Sequence, residues 1–256
     1  MSTPASKFGW YELMTTDTAA AGAFYSTVVE GWKTKEMGVP GMPYTIYELN
    51  GIGIAGMMPL PKEAGPAPAW IGYIHVPAVD DYAQRVVAAG GKIHKEPTDV
   101  PGMLRFCVVI DPQGAPYVLF TTVPMENPPA TPAAGTPGTI GWHELMAEDG
   151  AKAFDYYSSQ YGWGKGDVHD MGQMGPYQMF TVDGVAVGGI MTRPPNVPSS
   201  FWNFYFQVDG MKAAVGRIEA AGGKVCNGPH QVPGGSWIVQ GMDPQGASFC
   251  LVSGTE

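Results

Sequence analysis

The chain repeats itself, and that bounds its fold more than any other feature. Gly9-Trp10-Tyr11-Glu12-Leu13-Met14 returns as Gly141-Trp142-His143-Glu144-Leu145-Met146, displaced by 132 residues. Ala88–Lys92 (AAGGK) returns at Ala220–Lys224 and Asp111–Ala115 (DPQGA) at Asp243–Ala247, in the same order and with the same displacement. Three landmarks in one register mark an internal duplication whose period is far too long for a solenoid. The 256 residues therefore carry one plan twice, and each copy is long enough to bury its own core. Pro124 to Gly138 holds five prolines among alanines and glycines, which predicts a semi-stiff extended linker. The expected boundaries are a first domain over 1–122, a linker over 123–138 and a second domain over 139–256.

Each copy reads as strand–helix–strands, twice over. Phe8 to Met14 is a strand, and Asp17 offers an N-cap to an alanine-rich helix over Thr18 to Val29. Gly31 closes that helix, as Gly162 does in the second copy. Tyr44 to Asn50 and Gly53 to Met58 form a hairpin about Asn50-Gly51. The pattern restarts with a strand over Trp70 to Val76 and a helix over Asp80 to Ala89 striped by Tyr82, Val86 and Val87. Lys92 to Lys95, Leu104 to Ile110 and Pro116 to Thr121 follow as strands, with Asp111-Pro112-Gln113-Gly114 as a β-turn.

Lys+Arg 14 against Asp+Glu 23 leaves a net charge of −9, without the basic footprint that phosphate backbones or anionic lipid require. Nucleic acid and membrane surfaces are poor partners for such a chain. Charged residues are only 14%, which suggests that much surface is covered by contact between the copies or by apolar clefts. Cys107, Cys226 and Cys250 are widely spaced and include no Cys-x-x-Cys pair, which excludes a disulfide scaffold and a zinc knuckle. Met1 to Lys7 opens no apolar signal segment and no run is long enough to span a bilayer, so the expected location is cytoplasmic.

Trp-x-Glu-Leu before an alanine-rich helix ending in Gly-Trp, then AAGGK followed by DPQG, resembles the vicinal oxygen chelate superfamily. That superfamily covers glyoxalase I, extradiol dioxygenases and bleomycin-resistance proteins, and the likeness spans nearly the whole chain, nearest to the fused two-domain glyoxalase-like branch. It implies an α+β fold of tandem glyoxalase-like domains, each two paired βαβββ modules with sheets curled around a cleft and helices outside. It also implies a small-molecule ligand, and two copies packed as an intramolecular pseudo-dimer. Its metal-dependent members take His or Gln from the first strand of a module and Glu from the last. Those columns fall here at Trp10, Ile71 and Val118 in one copy, and at Trp142, Asn203 and Cys250 in the other. None is His, Glu or Asp, so no metal or other cofactor is expected; a divalent ion is the alternative. A one-residue slip in the first strand would bring His143 in, still without two partners.

Glu12 and Glu144 are the candidate catalytic groups. Alternation puts each on one strand face with the preceding Trp10 or Trp142. Desolvation in an aromatic-lined cleft raises a carboxyl pKa and suits a general base, while a structural carboxylate bonded to a neighbouring strand is the competing account. His143 is either a ligand-binding group or a packed imidazole, since Tyr11 replaces it in copy one. His75 beside Tyr73 corresponds to Gln207 beside Tyr205, hydrogen-bonders suited to orienting a ligand or to satisfying each other. Cys250 is either a thiolate nucleophile or an inert buried thiol. Trp10, Tyr47, Tyr73, Trp142, Tyr177, Tyr205 and Trp237 suggest flat or apolar ligands, against simple core filling. Pro40-Gly41-Met42-Pro43, Gly172 to Pro176 and Pro233-Gly234-Gly235 read as rim loops.

The better site is expected in copy two, bounded by Trp142, Glu144, Tyr177, Asn203, Tyr205, Gln207 and Trp237, because Asn203 and Gln207 stand where copy one has Ile71 and His75. Three functions compete: metal-independent binding or conversion of an aromatic or carbonyl-bearing metabolite, a metal-dependent lyase or dioxygenase, and a degenerate pair whose interface is its function.

Overall fold

In the first copy β1 (Phe8–Thr15), α1 (Thr18–Val28), β2 (Trp32–Glu36), β3 (Thr45–Leu49) and β4 (Ile52–Pro59) make one module. β5 (Ala69–His75), α2 (Val79–Ala88), β6 (Lys92–Val100), β7 (Leu104–Ile110) and β8 (Pro116–Thr122) make the next. The second copy repeats both as β9 (Ile140–Ala147), α3 (Gly150–Tyr161), β10 (Gly164–Asp170), β11 (Pro176–Val182), β12 (Val185–Thr192), then β13 (Phe201–Gln207), α4 (Met211–Ala220), β14 (Lys224–Gln231), β15 (Trp237–Met242) and β16 (Ser248–Ser253). The computed structural model describes residues 5–38, 43–65, 67–124 and 131–256. The expected loop over Pro40-Gly41-Met42 and residues 125–130 of the Pro-rich linker lie outside the described residues.

Strand order is β2-β3-β4-β1-β5-β8-β7-β6 in one mixed sheet and β10-β11-β12-β9-β13-β16-β15-β14 in the other, the α+β arrangement expected for duplicated βαβββ modules. Local chemistry explains the elements. Asp17 accepts from Ala20 N at 2.9 Å and Asp149 from Lys152 N at 3.1 Å, so both first-module helices start on a side-chain cap. Asn50 (φ 52°) with Gly51 (φ 81°) and Asp183 (φ 50°) with Gly184 (φ 80°) supply the left-handed pairs that tight hairpins need.

Strand β2, which the βαβββ resemblance implies, was not placed on any residues from the sequence pattern. Its Trp-Lys-Thr-Lys-Glu has one buried residue and four exposed ones, the composition of a charged edge strand and not of an amphipathic one. The stripe of α2 also differs: Val79, Ala83 and Val86 are buried, while Val87 stands 46% exposed. The helix begins one residue earlier than expected, and its buried residues fall at the i, i+4 and i+7 positions from Val79.

The chain divides into two compact units, Met1–Gly9 with Gly72–Asn127 and His143–Asn203, and Trp10–Ile71 with Pro128–Trp142 and Phe204–Glu256. Each unit thus joins the first module of one copy to the second module of the other. In the first unit Trp202 Nε1 donates to Tyr157 Oη at 3.1 Å, and the Tyr157 hydroxyl donates to Asp111 Oδ2 at 3.0 Å. The other carboxylate oxygen of Asp111 accepts from Gln113 N at 2.8 Å and Ala115 N at 2.9 Å, closing the DPQG turn. Arg85 of α2 donates to the carbonyls of Ser159 and Gln160 at the end of α3, capping it. The Tyr117 hydroxyl lies 2.7 Å from those of both Tyr156 and Tyr161.

The second unit repeats the same chain of groups. Trp70 Nε1 donates to Tyr25 Oη at 2.9 Å, the Tyr25 hydroxyl donates to Asp243 Oδ2 at 3.0 Å, and the other Asp243 oxygen accepts from Gln245 N and Ala247 N, both at 2.9 Å. Arg217 of α4 donates to Val28 O at 3.1 Å. Burial raises the pKa of both aspartates, opposed by the hydrogen bonds that favour their charged forms.

Thr15 at the end of β1 is fully buried, and among the described residues its hydroxyl has no hydrogen-bond partner. Copy two has Ala147 there. Thr15→Val keeps the shape and removes an unmet donor, so urea unfolding should show a gain of about 0.5–1 kcal/mol. A loss would mean that the hydroxyl is satisfied in solution.

Candidate functional site

Strand alternation sets which side chains share the sheet face turned away from the helices. On β9, Trp142, Glu144 and Met146 occupy one face and His143, Leu145 and Ala147 the other. His143 stacks on Phe8 with 4.6 Å between ring centroids and 9° between planes, and its Nδ1 lies 2.7 Å from Val187 O. A carbonyl only accepts, so Nδ1 carries the proton, and burial lowers the imidazole pKa to about 4. His143 is a buried imidazole on the β9 face opposite Glu144.

Glu144 is 7% exposed, and Asn203 on β13, 9% exposed, donates its Nδ2 to Glu144 Oε2 at 3.0 Å. Glu144 is paired in register with Gly189 on β12. A Cβ on Gly189 would stand 1.9 Å from Cε1 of Tyr177 and 2.5 Å from its hydroxyl, so the Tyr177 ring lies flush on the strand beside the carboxylate. Any side chain at 189 would displace that ring.

Copy one builds the corresponding corner from different donors. Glu12 is paired with Gly56 on β4, and a Cβ there would stand 1.9 Å from the Tyr44 hydroxyl. Trp10 Nε1 donates to that hydroxyl at 3.0 Å. Burial first, and then the Glu12 carboxylate by charge and hydrogen bonding, push the Tyr44 phenol far above its ordinary pKa. Tyr44 was not singled out from the sequence, although aligning Pro43-Tyr44 with Pro176-Tyr177 would have found it. Tyr47 was singled out, but it is fully buried and stacks on Trp32 at 4.7 Å in the helix-side core. Its parity on β3 turns it away from the face that bears Glu12 and Trp10.

In the second module of copy two, Tyr205, Cys250 and Val252 form a buried cluster with Trp142 and Ile238 packed against it. Gln240 Nε2 donates to Tyr205 Oη at 2.9 Å, and its Oε1 accepts from Asn227 Nδ2 at 3.1 Å. Trp237 has the parity of the fully buried Val239, so Ile238 and Gln240 take the face assigned to it from sequence. Cys250 is buried. Gln207 lies across Gly141, where a Cβ would stand 2.7 Å from its Oε1. In copy one Tyr73 and His75 meet Phe120 edge to face, at 5.8 and 5.4 Å between centroids. Burial, then the Lys7 ammonium, lower the His75 pKa.

A family model described as Glyoxalase/Bleomycin resistance protein/Dioxygenase superfamily matches residues 7–118. A Mycobacterium bovis protein named "Putative glyoxylase CFP32" is 32% identical over 248 residues, covering 95% of this chain and 93% of its own length. The chain belongs to the glyoxalase/bleomycin resistance protein/dioxygenase superfamily. Another relative, the anthracycline biosynthesis protein DnrV of Streptomyces peucetius, is 30% identical over 260 residues, covering 95% of this chain and 91% of its own. Among solved structures, the 2,2',3-trihydroxybiphenyl 1,2-dioxygenase of Sphingomonas wittichii superposes with a TM-score of 0.67 at 12% identity, over 98% of this chain and 91% of that one. A Mn(II)-bound glyoxalase from Novosphingobium aromaticivorans gives 0.64 at 14% identity, over 100% and 84%. These structural likenesses speak for the fold.

The superfamily's metal-dependent members need imidazole and carboxylate donors at the ligand columns. This chain offers an indole and two hydrocarbons (Trp10, Ile71, Val118) in one copy, and an indole, a carboxamide and a thiol (Trp142, Asn203, Cys250) in the other. Among the described residues no three His, Cys, Asp or Glu side chains are grouped to hold a metal elsewhere. No described helix is long and apolar enough to cross a membrane.

Proposed function

We propose that this superfamily member binds or transforms a small aromatic or carbonyl-bearing metabolite without a metal, using copy two as the principal site and Glu144 as anchor or general base. The observation that carries this reading is the Glu144–Asn203 pair, a buried carboxylate that accepts a hydrogen bond from a neutral amide. A desolvated carboxylate is a strong hydrogen-bond acceptor and can take a proton from a ligand group within reach. The flush Tyr177 ring beside it supplies a flat apolar surface. The name of the Streptomyces relative, an anthracycline biosynthesis protein, supports a polycyclic aromatic ligand.

The test is a screen of flat aromatic compounds by calorimetry on protein dialysed against a chelator. Binding should survive the dialysis, and Glu144→Gln should weaken it about tenfold or more, about 1.4 kcal/mol, while shifting Tm by less than about 2 °C. Binding that vanishes with the chelator and returns with manganese, zinc, nickel or iron would favour the metal-dependent lyase or dioxygenase reading. A sharp fall in Tm with ligand affinity intact would make Glu144 structural.

A further inference from the structure

We infer that Asn50 is a site of spontaneous modification, converting to aspartate or isoaspartate in the folded protein. Asn227, which begins the other Asn-Gly pair of the chain, is protected by its strand.

The backbone nitrogen of the following residue attacks the side-chain amide carbon. The bond from Gly51 N to Asn50 Cγ forms, the Cγ–Nδ2 bond breaks, and the Gly51 amide proton leaves with the departing group as ammonia. Water then opens the cyclic imide. Cleavage at the side-chain carbonyl gives aspartate with the original backbone. Cleavage at the main-chain carbonyl gives isoaspartate, whose backbone runs through Cβ and Cγ. Glycine favours the attack because no Cβ crowds its nitrogen.

The turn between β3 and β4 leaves both reacting groups accessible. Asn50 and Gly51 are exposed, and among the described residues neither the Asn50 amide nor the Gly51 N–H has a hydrogen-bond partner. A Cβ on Gly51 would meet nothing within 4 Å, so this peptide unit can rotate toward the amide without displacing a neighbour. Asn227 is exposed as well, but it is held. It lies in β14 in register with Gln240 on β15, and its Nδ2 donates to Gln240 Oε1 at 3.1 Å. A Cβ on Gly228 would stand 2.6 Å from Ile238 O and 3.3 Å from His230 N, so the backbone there is packed against β15. Ring closure at Asn227 must first free the amide and lift the strand, and such local opening is sparsely populated.

The second copy shows which product the turn accommodates. Asp183 (φ 50°) and Gly184 (φ 80°) stand where Asn50 (φ 52°) and Gly51 (φ 81°) do, between the paired residues Val182 and Val185 as between Leu49 and Ile52. Aspartate at position 50 therefore fits. Isoaspartate adds a methylene to a turn whose length sets the strand register. That register brings Gly56 opposite Glu12 with the Tyr44 hydroxyl against it, so the isoaspartyl form disturbs the copy-one corner.

The test is peptide mapping by mass spectrometry after incubating the folded protein in mildly alkaline buffer, with a parallel sample in urea. In the folded sample Asn50 should convert about tenfold or more faster than Asn227, and in urea the two rates should converge. Equal rates in the folded protein, a faster Asn227, or no conversion of Asn50 in the folded sample overturns the inference. Asn50→Asp should keep the urea midpoint of the unmodified protein, while the isoaspartyl fraction, separated by chromatography, should unfold at lower urea. Equal midpoints for that fraction and for Asn50→Asp overturn the register argument.

Discussion

Tyr157→Phe should cost about 3 kcal/mol, because two buried groups lose their shared partner at once. The Tyr157 hydroxyl accepts from Trp202 Nε1 at 3.1 Å and donates to Asp111 Oδ2 at 3.0 Å, and the side chain has 0% exposure. Phenylalanine fills the same space and leaves the indole N–H and one carboxylate oxygen unmet. For a chain of this size the loss should lower Tm by about 6–12 °C. Tyr25→Phe should behave alike, since Trp70, Tyr25 and Asp243 repeat the arrangement in the second unit. A double-mutant cycle of Tyr157→Phe with Trp202→Phe checks the mechanism. Once the hydroxyl is gone the indole has nothing to donate to, so the double variant should lose less than the two singles added, by about 0.5–3 kcal/mol. Singles within about 0.5 kcal/mol of wild type would mean that the chain of groups contributes nothing to stability.

Acid should destabilise the protein through His143 before most carboxylates titrate. Its folded pKa is lowered to about 4 against an ordinary value of 6.5, with burial the largest cause. As pH falls, the unfolded chain takes up this proton first. The stability tied to the neutral imidazole is therefore complete above about 6.5 and declines as pH approaches 4. The slope cannot exceed about 1.4 kcal/mol per pH unit, so the group accounts for about 2 kcal/mol between pH 7 and 5 and about 3 kcal/mol over the full window. His143→Tyr, the side chain that copy one carries as Tyr11, should remove that share of the pH dependence whatever its effect at pH 7. The measurement is ΔG from urea unfolding at pH 7 and pH 5 for both proteins. Parallel losses in wild type and variant would place the proton elsewhere. His75, whose pKa is also lowered, contributes in the same direction from a more exposed position and is unchanged in the comparison.

The site divides along the same line between local pattern and long-range packing. That Trp10 and Glu12 share a strand face, and Trp142 and Glu144 likewise, follows from the period of two alone. Which residues complete the corner did not. Asn203 reaches Glu144 from 59 residues away, and Tyr44 reaches the Glu12 corner across a strand whose Gly56 leaves room for it. Trp237 shares its strand parity with the buried Val239 on β15. His143 was a candidate ligand group until Phe8 and Val187 O turned out to occupy its ring face and its Nδ1.

By itself the sequence determined the duplication, the order of modules, and the capped helices and tight hairpins. Each of these is carried by residue type at a fixed spacing, and short-range sterics and hydrogen bonding read such spacing directly. Only the tertiary structure decided that each compact unit draws one module from each copy, that Trp, Tyr and Asp from three separate segments meet inside each unit, and that a neutral amide holds Glu144. Those contacts join residues tens to hundreds of positions apart. Nothing local distinguishes a Tyr that will bond an Asp from one that will only pack, until burial leaves each polar group a single partner within reach.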